Sequence, residues 1–183
     1  MWWRSMVRME GLRLASPARA AVVALGNPYR GDDGVGPALL RLLAVTGDAS
    51  RVTSKGRGTR HVSRVTRHEV DLLEGVHDGL RLAEALLGYE RVLVVDAAPW
   101  LPPGEVKRFR LEELPATVGY FHGLGFRAAL ELVAHAGGEG VPEVEILAIG
   151  IPEDPRFGEG LSPVVERALP VALKEAIGWL RES

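Results

Sequence analysis

Residues 21–40 read AVVALGNPYRGDDGVGPALL. The apolar run Ala21-Val22-Val23-Ala24-Leu25 has the length and continuity of a strand buried on both faces. A polar, glycine-rich segment, 26–36, follows. Pro37-Ala38-Leu39-Leu40 then opens a helical pattern, with Pro37 in a first turn where its missing N–H costs little. The order is strand, loop, helix, and two adjacent acids, Asp32 and Asp33, stand at the crown of the loop. Gly26 and Gly31 have the GxxxxG spacing of a phosphate-binding loop, but Asp32 and Asp33 occupy the places of its Lys and Ser or Thr. Gly31, Gly34 and Gly36 also fail the GxGxxG order of a dinucleotide fold. The loop therefore offers a carboxylate to a cation or a hydrogen-bond donor. The alternative is that Asp32 or Asp33 only caps the helix.

The chain has 183 residues, of which 46% are hydrophobic, enough for one domain with its own core. A formal charge of −2 speaks against a general nucleic-acid binder. The absence of cysteine removes disulfides, thiolate metal sites and cysteine nucleophiles together. No apolar run approaches the ~20 residues that span a bilayer. Residues 1–20 carry Arg4, Arg8, Arg13 and Arg19 without a sustained apolar stretch, which is not the pattern of a secretory signal. They read as a loose N-terminal extension, or as the product of an early start codon, since Met6 and Met9 follow. A cytoplasmic protein with no membrane or nucleic-acid partner is expected.

A helix over 35–44 leads into a basic segment over 46–67, read as a surface loop with room for a strand near 62–65; no aromatic residue lies there for base stacking. A second strand is expected over 69–73, then Glu74-Gly75 and a helix over 78–87 stopped by Gly88. His68-Glu69 begins an HExxH pattern, but Leu72 breaks it. The run RVLVVD, 91–96, is again a doubly buried strand, and it puts Asp96 at the carboxyl end, where ligands of open α/β sheets bind. Asp96 is either a site group or a brace that accepts backbone hydrogen bonds. A charged edge strand over 105–111, a loop over 117–125 and a helix over 124–136 come next. His122 stands just ahead of that helix, whose dipole favours the neutral ring able to bind a metal. A last apolar strand spans 144–149. After a long loop, Ser162 as N-cap and Pro163 as first residue begin a final helix to Leu180, bent at Pro170. The order β-α-β-α-β-β-α-β-α predicts an α/β fold, a three-layer α/β/α sandwich on a mostly parallel, twisted sheet of about five strands. It forms a single domain over 21–183.

Asp33, Asp96 and His122 each end a different element. With Gly26-Asn27, then Asp32-Asp33-Gly34-Val35-Gly36, they resemble the hydrogenase maturation endopeptidase family. Gly150-Ile151-Pro152-Glu153 and Gly160-Leu161-Ser162-Pro163-Val164-Val165 resemble the family's closing segment. The likeness runs from residue 21 to the C-terminus and weakens through 46–67. It implies a phosphorylase/hydrolase-like fold and a metal-dependent endopeptidase. Its substrate would be the large-subunit precursor of a nickel–iron hydrogenase, shortened at its C-terminus after nickel insertion. It also implies that Asp33, Asp96 and His122 engage that nickel, and it matches Glu74-Gly75 to an acidic residue and Gly of the family. Two carboxylates and an imidazole suit a borderline divalent ion such as nickel or zinc, with positions left open for substrate. The metal either polarises the scissile carbonyl or a water, or serves only as a recognition mark with Asp32 or another carboxylate as general base. The nickel is expected to arrive with the precursor, the protein holding no metal tightly of its own and acting as a monomer.

Two other readings remain at this point. Leu25-Gly26-Asn27-Pro28 is similar to the opening of bacterial peptidyl-tRNA hydrolases, although Tyr29 comes too soon and acids fill the loop. A chaperone that binds the precursor without cutting it would also carry no nucleophile motif. The protease reading requires Asp33, Asp96 and His122 to converge within about 12 Å, the reach of one bound ion.

Overall fold

A computed structural model describes residues 20–46, 49–52, 62–65, 70–74, 79–113, 126–137, 140–153 and 157–182. The N-terminal extension up to residue 19 and the expected loop over 117–125 lie outside them. The strands are β1 (Ala20–Ala24), β2 (Ala49–Val52), β3 (Val62–Val65), β4 (Val70–Glu74), β5 (Arg91–Ala98), β6 (Val106–Arg110) and β7 (Glu143–Gly150). The helices are α1 (Val35–Thr46), α2 (Gly79–Ala85), α3 (Phe126–Gly137) and α4 (Pro163–Arg181). Among the described residues no helix is long and apolar enough to cross a membrane.

The strands form one sheet in the order β2-β3-β4-β1-β5-β7-β6. Its centre, β4-β1-β5-β7, is parallel throughout. Antiparallel β6 closes one edge, which makes the five strands expected. An antiparallel β2-β3 pair adds two more at the other edge. Every residue of β1 is buried, as are Val92–Ala98 of β5, which is why both strands read as unbroken apolar runs.

Alternation along these strands divides the core into two layers. Val22, Ala24, Leu93, Val95, Leu147 and Ile149 pack with Leu39 and Leu43 of α1 and with Val165, Ala168, Ala172 and Ala176 of α4. Ala21, Val23, Val92, Val94, Val144 and Ile146 pack with Leu82 of α2, with Leu86 in the turn that follows it, and with Ala129 and Leu130 of α3. The architecture is the three-layer α/β/α sandwich that the order of elements predicts.

Helix α4 runs the height of the sheet and continues unbroken through Pro170. Its far end is pinned. Trp179 is fully buried, yet its Nε1 donates to Glu145 Oε1 at 2.8 Å, so the indole N–H keeps a partner. Arg91, first residue of β5, lies over the same ring at 4.6 Å. Arg108 makes a two-pronged contact with Glu182, at 3.1 and 3.0 Å, and reaches Glu145 at 3.3 Å. The near end of α4 meets the loop after β1, at the opposite rim of the sheet.

Candidate active site

The parallel centre has a point where the chain turns both ways. From β1 it leads through α1 towards β4, and from the neighbouring β5 it goes on towards β7. Diverging connections leave a crevice beyond the carboxyl ends of β1 and β5, the usual ligand site of such sheets. Asp33 follows β1 and Asp96 lies in β5, so both expected acids belong to this crevice.

The loop after β1 is closed on itself. Leu25 N donates to Val95 O at 2.9 Å and extends the strand pairing by one bond. Gly26 turns the chain away at φ +104°, where the carbonyl of Asp33 packs into the space a Cβ would need. Gly36, at the start of α1, is as constrained, because a side chain there would meet the backbone carbonyls of Leu25 and Val95. Arg30 N donates to Asn27 O at 3.0 Å and Tyr29 N to Asn27 Oδ1 at 2.9 Å, which shapes the turn. A 3-10 turn, Gly31–Gly34, then presents the two acids in different directions. Asp33 Oδ2 accepts from Asn27 N at 2.9 Å, while its Oδ1 has no hydrogen-bond partner among the described residues.

Asp96 shares the α2–α3 face of β5 with Val92 and Val94 by strand alternation. The residue is only 6% exposed, and its Oδ1 accepts from the N–H of Ala97 at 2.9 Å. Burial pushes this carboxyl up from its ordinary 3.8 to about 7; the Ala97 N–H pulls the other way, and the charge of Asp33 adds to the rise. The two acids, 63 positions apart, therefore sense each other. Among the described residues no three His, Cys, Asp or Glu side chains group so as to hold a metal. His122, the third expected member, lies outside the described residues, four positions before α3 begins.

Asp32 does something the sequence did not foretell. It is 7% exposed, and its Oδ1 accepts from the backbone N of Ser162 at 2.6 Å, across 130 positions. Ser162 holds the N-cap position with an extended backbone, as expected, but its hydroxyl makes no cap bond. That Oγ is buried without a partner among the described residues. The two loops are laced at a second place, where Gly31 N donates to Gly158 O at 2.7 Å and Gly158 N to Tyr29 O at 3.2 Å. Beside this bridge stand Tyr29 and Phe157, 63% and 85% exposed, with the Arg30 guanidinium 5.5 Å from the Phe157 ring centre. The strongest clue to these rim residues in the sequence was the GIPEDPRFGEGL loop itself. Glu74, matched to a family acid, ends β4 and lies 3.6 Å from Arg41 of α1; its Gly75 lies outside the described residues.

A family model described as hydrogenase maturation protease matches residues 59–179, two-thirds of the sequence. The chain belongs to the hydrogenase maturation protease family. That span contains Asp96 and His122; the Asp32-Asp33 loop precedes it. Solved structures extend the likeness over the loop. HybD, the hydrogenase maturating endopeptidase from Escherichia coli, is 21% identical with a TM-score of 0.63, the match covering 90% of this chain and 93% of that one. Another E. coli endopeptidase is 24% identical with a TM-score of 0.64, over the same shares. HybD from Thermococcus kodakarensis, a [NiFe] hydrogenase maturation protease, is 25% identical with a TM-score of 0.59, covering 88% of this chain and 98% of that one. A search of curated proteins found no match. The family is one of endopeptidases, hence hydrolases, and this assignment displaces the peptidyl-tRNA hydrolase alternative.

Proposed function

We propose that this protein removes the C-terminal extension of a nickel–iron hydrogenase large-subunit precursor once nickel is in place, and that Asp33, Asp96 and His122 engage that nickel. The observation that supports the reading is the placement of Asp33 and Asp96 on contacting elements at the crevice between β1 and β5, with the charge of Asp33 among the causes, after burial, that bear on the Asp96 carboxyl. A buried carboxylate, Asp96, beside the half-buried carboxylate of Asp33 invites a cation, which relieves their repulsion. In this reading the cation arrives with the substrate, so the acids and His122 read the precursor's state before the peptide bond is cut. Water supplies the hydroxyl to the carbonyl carbon, the C–N bond breaks, and the departing amine takes the proton. The protein works as a cytoplasmic monomer.

Mass spectrometry of a nickel-loaded precursor incubated with this protein tests the reading. The expected result is loss of the tail from the nickel-loaded form and none from the nickel-free form. A nickel-loaded precursor that keeps its tail overturns the reading and favours a non-catalytic chaperone. Tyr29 and Phe157 supply the precursor's chain with apolar contact at the rim. The Tyr29→Ala, Phe157→Ala double variant is expected to raise KM roughly tenfold with kcat held within about twofold, since both side chains stand exposed at the rim while Asp96 is buried. An unchanged KM removes the rim from the binding surface.

A further inference from the structure

We infer that Asp32 is a positioning residue: its carboxylate clamps the start of α4 to the loop that presents Asp33, so the last helix holds that acid in place. The inference rests on the proposed reading for its activity assay and on the structure alone for its geometry.

The two consecutive acids sit on one 3-10 turn but are held by different parts of the chain. Asp33 is tied by Asn27 within its own loop, and Asp32 by Ser162 from the far end of the sequence. The ladder of α4 begins with Glu166 N donating to Ser162 O, so the N–H of Ser162 lies outside it, and Pro163 beside it has no N–H; Asp32 takes the Ser162 donor. A buried carboxylate accepting a backbone N–H at 2.6 Å makes a charge-assisted bond, stronger than one between neutral partners. The clamp has a firm base. Ala168, Ala172 and Ala176 seat α4 on the sheet, and Trp179 and Glu182 pin its far end. The lacing of Gly158 to Tyr29 and Gly31 gives the loop a second hold. With Oδ1 engaged and the side chain buried, Asp32 is set as a strut and leaves the chemistry to its neighbour.

Four proteins settle this: wild type, Asp32→Asn, Asp32→Ala and Ser162→Pro. Asparagine keeps an oxygen that accepts the Ser162 N–H, alanine removes it, and proline at 162 removes the donor while fitting its φ of −67°. Cleavage of the nickel-loaded precursor is measured at a temperature where circular dichroism shows the variants folded, across pH 5 to 9. Amide exchange at residue 162 is followed in wild type and in the two Asp32 variants.

The expected result is Asp32→Asn within about threefold of wild type with the same pH profile, and Asp32→Ala and Ser162→Pro down at least about 30-fold. The residue 162 amide should stay protected in Asp32→Asn and lose protection in Asp32→Ala. If Asp32→Asn falls as far as Asp32→Ala, or its pH profile shifts, Asp32 acts through its proton and the inference is wrong. A folded Asp32→Ala of full activity also overturns it. If an Asp32 variant does not fold, Ser162→Pro decides by the same threshold. Should wild type itself not cut the precursor, the proposed function fails, and the exchange measurement still decides whether the clamp exists.

Discussion

Asp33→Asn and Asp96→Asn are each expected to cut the nickel-loaded precursor at least about 1,000-fold more slowly than wild type, while folding normally. The magnitude follows from losing a preorganised charge at a reacting centre, where single groups contribute roughly 10²–10⁴-fold. Asparagine isolates the charge because it preserves the local bonds. Its amide oxygen can still accept from Asn27 N at position 33 and from Ala97 N at position 96, so the loop and the end of β5 keep their shape. His122→Ala is expected to fall into the same class. The measurement is initial rate by mass spectrometry, paired with a denaturation curve for each variant. A rate above about a tenth of wild type in Asp33→Asn or Asp96→Asn removes the acid pair from the chemistry. Unfolding of both would assign them a structural role instead. Uncut precursor still bound to folded variants would separate recognition, carried by the rest of the surface, from the cutting step.

Which parts of this protein were legible in its sequence follows from what each part depends on. β1 and β5 were readable because burial on both faces leaves one simple mark, an unbroken apolar run. β6 was readable for the opposite reason: Lys107, Arg108 and Arg110 suit an exposed edge. β2 was not, since Ala49-Ser50-Arg51-Val52 is short and polar, and its pairing with β3 supplies the strand that its composition does not announce. Helix α2 ends at Ala85, earlier than the expected Leu87, because Leu86 and Leu87 continue the apolar pattern in a turn closed by Gly88.

The candidate site divides in the same way. Asp96 could be placed near the carboxyl end of its strand because that is a position along the chain, although β5 runs two residues further, to Ala98, and Asp33 because its loop motif is local. The different employment of Asp32 and Asp33 could not be read, because the two are the same residue side by side and only a partner 130 positions away tells them apart. Ser162 shows the limit of cap statistics: its type predicts the position correctly, but tertiary contacts take the backbone N–H and leave the hydroxyl without a bond among the described residues. The perturbation of Asp96 needs burial and a second charge at once, and neither is a property of the segment 91–96.

That perturbation makes the free protein's stability depend on pH in a definite direction. The folded-state pKa of Asp96 is about 7 and the ordinary value is 3.8, so between those limits the folded state holds a proton that the unfolded state has released. A state that binds more protons is favoured by acid. This component of stability is fully present below about pH 3.8, declines as pH rises, and is gone above about pH 7. Its full size is about 4 kcal/mol. Asp96→Asn carries no such proton, so in urea unfolding without precursor or metal it should match wild type near pH 4 and exceed it progressively, reaching the full difference near pH 8. Taking the difference between the two proteins at each pH cancels the other titrating groups. Asp33→Asn should shrink the slope in part, because Asp33 contributes to the rise after burial. A difference that stays flat from pH 4 to 8 would mean that Asp96 is ionised in the folded protein like any surface carboxylate. Asp96 would then feel neither the burial nor the charge of Asp33 that raise its pKa, and the proposed function would lose the coupling of the two acids that supports it. A difference that grows as stated has a consequence for the precursor's metal, which at neutral pH must displace a proton from Asp96. Binding of nickel-loaded precursor should then release protons and tighten as pH rises from 6 to 8.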